Sequence, residues 1–203
     1  PPITDGSGND RKNLLKAKEI LKKEGWFVED GKLVKDGKEF KFEFLIVSPS
    51  DEKIALAYQS NLKKLGITMD VRTVDSSQYQ ERLLSYDFDM IKRYWGVSLS
   101  PGNEQQFYWG SEVGQKDGSR NYPGINSPAV DALIEKLISA TNREELTTAI
   151  HALDRVLLWG HYVVPLYHSN KDRIAYWDFF EYPDEIPLYG IVIESWWINK
   201  DKQ

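Results

Sequence analysis

Hydrophobic and polar positions fall into two alternating periods over the first half of the chain. With Asn9 or Asp10 as the cap, Leu14, Leu15, Ala17, Ile20 and Leu21 recur at helical spacing among lysines, and the pattern stops at Gly25. Asp30-Gly31 and Asp36-Gly37 are turn signals that bracket short segments. Glu39 to Ser48 then alternates Phe40, Phe42 and Phe44 before turning fully apolar, which predicts a strand entering a core. Asp51 opens a second helix, through Ile54, Ala55, Ala57, Tyr58 and Leu62 to Leu65, closed by Gly66. A strand from Ile67 to Val74, a helix from Ser76 to Leu84 and a strand from Phe88 to Trp95 complete the run. Strand, helix, strand, helix, strand with short connections predicts an α/β sheet that contains parallel pairs.

Beyond Gly96 the pattern changes. A polar loop, Val97-Ser98-Leu99-Ser100-Pro101-Gly102, leads into an aromatic segment with Phe107, Tyr108 and Trp109. Ser111 to Pro128 shows little periodicity and much Gly, Asn and Ser, so it reads as a long loop of the kind that often carries function. Two helices follow, one with Pro128 in its first turn and Val130, Leu133, Ile134, Leu137 and Ile138 facing inward, the other from about Arg143 to Trp159. Val163 to His168 and Arg173 to Trp177 are strand-like, and the tail to Trp197 is rich in proline and aromatic residues. No internal repeat, low-complexity tract or linker divides the sequence, so residues 1–203 read as one unit.

Composition narrows the function classes. The 203 residues are 41% hydrophobic and 28% charged, with both signs interspersed, as in ordinary globular proteins. A net charge of −5 without a clustered basic stripe argues against a nucleic-acid partner. No apolar run approaches the roughly 20 residues of a spanning helix. Cysteine is absent, which removes thiol nucleophiles, disulfides and cysteine metal sites together. The opening Pro1-Pro2-Ile3-Thr4-Asp5-Gly6 leads us to expect a segment of a longer polypeptide, with any signal peptide upstream. The 7 Trp, 11 Tyr and 8 Phe are the unusual feature, because such side chains fill cores and also line apolar ligand clefts.

Catalytic chemistry finds little support. His151, His161 and His168 lack metal-ligand spacing, and no metalloprotease helix motif occurs. Asp87 and Asp89 flank Phe88 at a strand start, where a solvated edge is a simpler reading than a catalytic pair. Gly6-Ser7-Gly8 is only the start of a phosphate-loop pattern, no nucleophile-elbow motif exists, and Asp30 to Lys38 lacks the alternating oxygen ligands of a calcium loop. We therefore expect no catalytic residue, metal or cofactor.

Ligands of open α/β sheets gather beyond the carboxyl ends of the strands, here after Ser48 and after Trp95. In Arg93-Tyr94-Trp95-Gly96, Arg93 and Trp95 alternate onto one side of the predicted strand, offering a bidentate cation for a carboxylate or amide carbonyl beside an aromatic wall. Gln105, Trp109, Ser119, Arg120 and Asn121 add aromatic faces and hydrogen-bond donors suited to a polar, chain-like ligand.

A family resemblance runs through these residues in order. Ala17…Leu21-Lys22-Lys23-Glu24-Gly25-Trp26, Asp36-Gly37-Lys38 before an apolar strand, and Gln59…Leu62-Lys63-Lys64-Leu65-Gly66-Ile67 resemble the C-terminal lobe of the family 5 solute-binding proteins. Tyr79, Asp87-Phe88-Asp89-Met90, Trp95-Gly96, Asn121-Tyr122, Asn126-Ser127-Pro128-Ala129-Val130-Asp131-Ala132-Leu133-Ile134 and Val164-Pro165-Leu166-Tyr167 continue it over nearly the whole chain. The family comprises the oligopeptide, dipeptide and nickel binders of ABC importers. The resemblance implies a periplasmic-binding-protein-like lobe, a mixed sheet flanked by helices, in a two-lobe extracytoplasmic protein. It also implies a peptide or peptide-like ligand, a membrane permease partner, an N-terminal lobe elsewhere in the polypeptide, and a last segment, about residues 178–203, that runs back toward that lobe through Trp196-Trp197.

One departure bears on the ligand. Many peptide binders of the family carry an Asp just after this third strand, where it meets the peptide α-amino group, whereas residues 96–105 here contain none. The Ser100-Pro101-Gly102-Asn103-Glu104-Gln105 string and Ser119-Arg120-Asn121 look like the microcin C-type branch, whose ligands carry a formylated N-terminus. Two other classes compete: a hydrolase using Asp87, Asp89 or Glu104 with a histidine, and an interaction module with exposed aromatics.

Overall fold

The computed structural model describes residues 3, 6–8, 10–96, 98–114, 116–166, 171–188 and 190–202. They form two compact units, Pro1–Val163 and Val164–Gln203.

In the first unit, α1 (Arg11–Lys23) precedes an antiparallel three-stranded sheet of β1 (Phe27–Glu29), β2 (Lys32–Lys35) and β3 (Lys38–Glu39). Asp30 and Asp36 take positive φ beside Gly31 and Gly37, so both expected turns close hairpins. A second sheet combines β4 (Lys41–Ile46), β5 (Thr68–Thr73) and β6 (Met90–Ile91) in the order β5-β4-β6, all parallel. Its crossovers are α2 (Pro49–Lys63) and α3 (Ser76–Leu84). Both helices start where side-chain oxygens can satisfy free N–H groups: Ser48 accepts from Ser50, and Asp75 accepts from Ser77 and Gln78.

The period of two in β4 decides what each helix covers. Phe42, Phe44 and Ile46 pack with Met69 against Ala55, Tyr58 and Leu62 of α2, while Leu45 and Val47 pack against Tyr79 and Leu83 of α3. A central parallel strand is buried on both faces, which is why Leu45-Ile46-Val47 carries no polar position. A third core joins α4 (Glu104–Trp109) to the helical hairpin of α5 (Pro128–Ile138) and α6 (Arg143–Trp159) around Ile125, Val130, Ile134 and Leu153.

The α/β expectation stands, with parallel and antiparallel pairs segregated into separate sheets. Three local expectations change. The strand expected over Phe88–Trp95 is reduced to Met90–Ile91, because β4 ends at Ile46 and its chain turns into α2 at Pro49, leaving Lys92–Gly96 without a neighbouring strand to pair with. The aromatic segment after the polar loop, to which no element was assigned, is the helix α4. Residues 163–166 and 173–177 form no strand, and residues 167–170 lie outside the described ones.

In the second unit, β7 (Phe180–Glu181) pairs antiparallel with β8 (Trp197–Ile198). Tyr176, Tyr182 and Trp196 cluster, with ring centroids 4.9 Å apart for Tyr176–Trp196 and 5.1 Å for Tyr182–Trp196. None of the described residues of this unit is buried, and Trp177, Ile186, Leu188 and Ile193 are largely exposed.

Gly66 ties the two sheets of the first unit together. Its carbonyl accepts the Leu33 N–H at 2.7 Å, its φ is +82°, and a Cβ there would lie 2.9 Å from that backbone nitrogen. Gly66→Ala is expected to cost more than the roughly 1–2 kcal/mol of left-handed strain, because Leu33 must also move. Urea unfolding checks this, and a loss under about 0.5 kcal/mol contradicts it.

Candidate ligand-binding site

The β5-β4-β6 order means that the chain leaves β4 on one side and returns on the other, so the crevice beyond the carboxyl ends of β4 and β6 is a topological switch point. Two elements meet there. After β4 comes the start of α2, with Asp51 in its first turn, and after β6 comes the irregular stretch Lys92–Gly96. The Lys92 ammonium is ion-paired with the Asp51 carboxylate and joins the two strand ends. The Tyr79 hydroxyl on α3 donates to the Lys92 carbonyl at 3.1 Å, and burial pushes its pKa up.

The sequence-predicted residues separate into those that converge and those spent on structure. The Arg93 guanidinium lies 5.3 Å from the Tyr122 ring centroid and is exposed. Tyr94 is 86% exposed. Trp95 lies against Trp109, centroids 4.8 Å apart at 39°, and its indole N–H is buried with no acceptor. The Gly96 carbonyl accepts from the Tyr108 hydroxyl at 3.1 Å. Gln105 is buried and accepts the Trp109 indole N–H at 3.0 Å, which fixes the second tryptophan. Arg93 and Trp95 are therefore not paired by strand alternation: Trp95 meets Trp109 of α4, and Arg93 meets Tyr122 of the long loop.

Glu104, beside Gln105, is turned onto its own turn. Its carboxylate accepts the Gly102 N–H at 2.9 and 3.0 Å. Burial pushes this carboxyl up, and the hydrogen bonds from backbone and Gln105 outweigh it and hold the group below its ordinary value of 4.5.

The long loop is fixed from within. Asn121 is fully buried; its amide donates to the Gly110 carbonyl at 3.0 Å and the Ile125 carbonyl at 2.9 Å, and its oxygen accepts the Ile125 N–H at 2.9 Å. Gly114 makes room for it, since a Cβ there would lie 2.5 Å from the Asn121 amide nitrogen. The Ser119 hydroxyl is hydrogen-bonded to the Tyr86 hydroxyl, and the Gly118 N–H donates to the Leu84 carbonyl at 2.9 Å. Arg120 stands exposed between these fixed neighbours. Sequence reasoning missed Tyr108, Tyr122 and the Asp51–Lys92 pair. An acid in the first turn after a predicted strand was the available signal for Asp51.

The other candidate groups have ordinary partners. Asp87 is 2.8 Å from Arg82, which also holds Glu43 at 2.8 Å, and Asp89 accepts the Glu43 N–H at 2.8 Å. Among the described residues no three His, Asp or Glu side chains converge on a metal position. His168 lies outside the described residues.

The chain resembles known proteins in sequence and in fold. The model of the bacterial extracellular solute-binding proteins, family 5 middle region, matches residues 1–117. The protein y4wM of Sinorhizobium fredii is 51% identical over 199 residues, covering 97% of this chain and 30% of that protein. YejA of Agrobacterium fabrum, named a probable peptide-binding protein, is 42% identical over 202 residues, covering 98% of this chain and 33% of that one. The oligopeptide-binding protein AppA of Bacillus subtilis, solved with a nonapeptide, superposes with a TM-score of 0.64 at 29% identity over 70% of this chain and 29% of its own. The chain spans about a third of the length of the curated relatives it matches. It belongs to the bacterial extracellular solute-binding proteins of family 5.

Proposed function

We propose that this chain is one wall of the ligand cleft of an extracytoplasmic solute-binding protein, which captures peptides or peptide-like compounds and delivers them to the membrane permease of an ABC importer. The observation that carries this reading is the Trp95–Trp109 wall with Arg93 beside it, at the carboxyl ends of parallel strands in a family 5 chain. Aromatic faces with few placed polar groups suit an extended chain of varied side chains. Residues 1–203 then act as the C-terminal lobe of a periplasmic protein, and closure against the N-terminal lobe shifts the open–closed equilibrium by the ligand's preference for the closed form. The residues after about 178, with Trp196 and Trp197, run back toward that lobe. Contacts fall to Arg93, Tyr94, Trp95, Gly96, Gln105, Trp109, Ser119 and Arg120, while Asn121 holds the loop that presents them. The protein acts by binding and not by catalysis.

The N-terminus of the ligand is blocked in this reading. What supports this is that residues 96–105 contain no Asp, and their one carboxylate, Glu104, is turned onto the Gly102 amide of its own turn. Mass spectrometry of ligands that copurify with the full-length protein is expected to find peptides. Titration with matched formylated and free-amino peptides is expected to favour the formylated member by about tenfold or more, given the desolvation cost of an unpaired ammonium. A preference for the free amine removes the blocked-terminus reading, and copurification of sugars or metal chelates alone removes the peptide one.

A further inference from the structure

Helix α3 ends on a residue that the backbone alone does not favour. After its cap, Ser85, the chain turns left-handed at Tyr86, with φ +56°, and the Asp87 N–H closes back on the Arg82 carbonyl at 2.9 Å. Glycine is the usual residue at this place, because a Cβ in the left-handed region crowds the following carbonyl. Where α1 and α2 end, Gly25 and Gly66 supply the positive φ. A bulky residue in that region persists only where its surroundings hold it there.

What holds Tyr86 is the long loop. Its hydroxyl is hydrogen-bonded to the Ser119 hydroxyl, whose oxygen also accepts the Asn121 N–H at 3.4 Å. Its ring centroid lies 6.3 Å from that of Tyr122 and 6.0 Å from that of Phe88. Beside it the Gly118 N–H donates to the carbonyl of Leu84, the last residue of α3. This contact sits at the joint between two cores: Tyr122 packs on Leu45, Tyr79 and Leu83, and three residues later Ile125 belongs to the core of α5 and α6. The proposed ligand wall straddles the same joint. Trp95 follows β6 of the sheet, Trp109 packs on the helical core, and Arg93 rests on Tyr122.

Resting on the peptide-binding reading, we propose that Tyr86 is a positioning residue for the ligand, which acts through its neighbours by seating residues 118–122 on the end of α3. Ser119, Arg120 and the Tyr122 ring under Arg93 are then in place before the peptide arrives. Groups placed in advance lose less freedom on binding, and the apparent affinity falls with the fraction of molecules in which the loop is unseated. Glycine at this position eases the turn but cannot seat the loop, which accounts for an aromatic residue at a left-handed helix end.

The test is calorimetric titration of the full-length protein with amino-formylated and free-amino hexapeptides of alanine, the tighter of the two serving as the probe. Tyr86→Phe and Ser119→Ala are each expected to weaken binding about threefold to tenfold, the factor that one hydrogen bond between neutral groups amounts to. The double variant is expected to lie within about twofold of the weaker single one, because both changes remove the same bond. Tyr86→Gly, which eases the turn and deletes the ring, is expected to lose about tenfold or more. Thermal midpoints measured alongside separate the two roles, since a side chain that only supports the fold lowers the midpoint and leaves the affinity of the folded protein unchanged. Unchanged affinity in Tyr86→Phe, or losses that add in the double variant, overturns the positioning role while leaving peptide capture standing. If the parent binds neither hexapeptide, the peptide-binding reading and the positioning role fall together.

Discussion

Asn121→Asp is expected to destabilise the protein by about 3–5 kcal/mol at neutral pH, the range for an uncompensated buried charge. The change preserves shape and alters only what the side chain offers. In the native loop the Asn121 amide donates to the Gly110 and Ile125 carbonyls while its oxygen accepts the Ile125 N–H. An aspartate keeps the last bond and sets a carboxylate oxygen against two carbonyl oxygens, at a position where Asn121 is 0% exposed. Its folded pKa must then rise above the unfolded value of about 3.9. A raised folded pKa contributes stability that is present below the unfolded pKa and lost as pH rises through the folded one. The deficit relative to the parent is therefore largest at neutral pH and shrinks, by up to about 1.4 kcal/mol per unit, as pH falls between those two values. Urea unfolding at several pH values measures it. A loss under about 1 kcal/mol with no pH dependence would return Asn121 to the ligand-contact set, since its amide would then be free to turn.

Trp95→Ala is expected to weaken peptide binding about 30-fold or more, as truncation of a central aromatic anchor does. The physical content lies in comparing it with Trp95→Phe. Alanine removes both the face that meets Trp109 at 4.8 Å and the wall presented to the ligand. Phenylalanine keeps an aromatic face and deletes an indole N–H that has no acceptor, so no hydrogen bond within the protein is lost. Binding by Trp95→Phe is expected to stay within about threefold of the parent, because aromatic contact supplies most of the energy. Calorimetric titration with copurified peptide distinguishes the outcomes. Equal losses for Phe and Ala would show that the ligand takes the indole N–H as its donor, which requires the ring to turn on capture. No loss for either would remove Trp95 from the cleft.

Much of the fold was legible because local patterns and tertiary demands agree in this chain. The alternation of Phe40, Phe42 and Phe44 followed by Leu45-Ile46-Val47 encodes a strand covered on both faces, and Ser76 to Leu84 matches α3 to the residue. The Asp-Gly turns and the glycine ends of the helices are conformational requirements of single residues, so they too can be read locally. The site was legible only in composition. Arg93, Trp95, Gln105 and Trp109 were selected as residue types near a strand end, and the reason given for Arg93 and Trp95, a shared strand face, does not hold because β6 stops at Ile91. Asn121 illustrates the limit, since an Asn in a long loop reads as an exposed donor, and nothing local reveals that Gly110 and Ile125 will use its amide.

By itself, then, the sequence determined the element order as far as β6, the parallel sheet and the family, because hydrophobic period, turn residues and caps act over a few neighbouring positions. Only the tertiary structure decided which side chains are free to meet a ligand. Trp95 faces Trp109 because α4 packs beside the segment that follows β6, and Asp51 pairs with Lys92, not with Arg93. A polar group's availability depends on whether another part of the chain has already satisfied it, and that is a property of contacts between residues far apart in sequence.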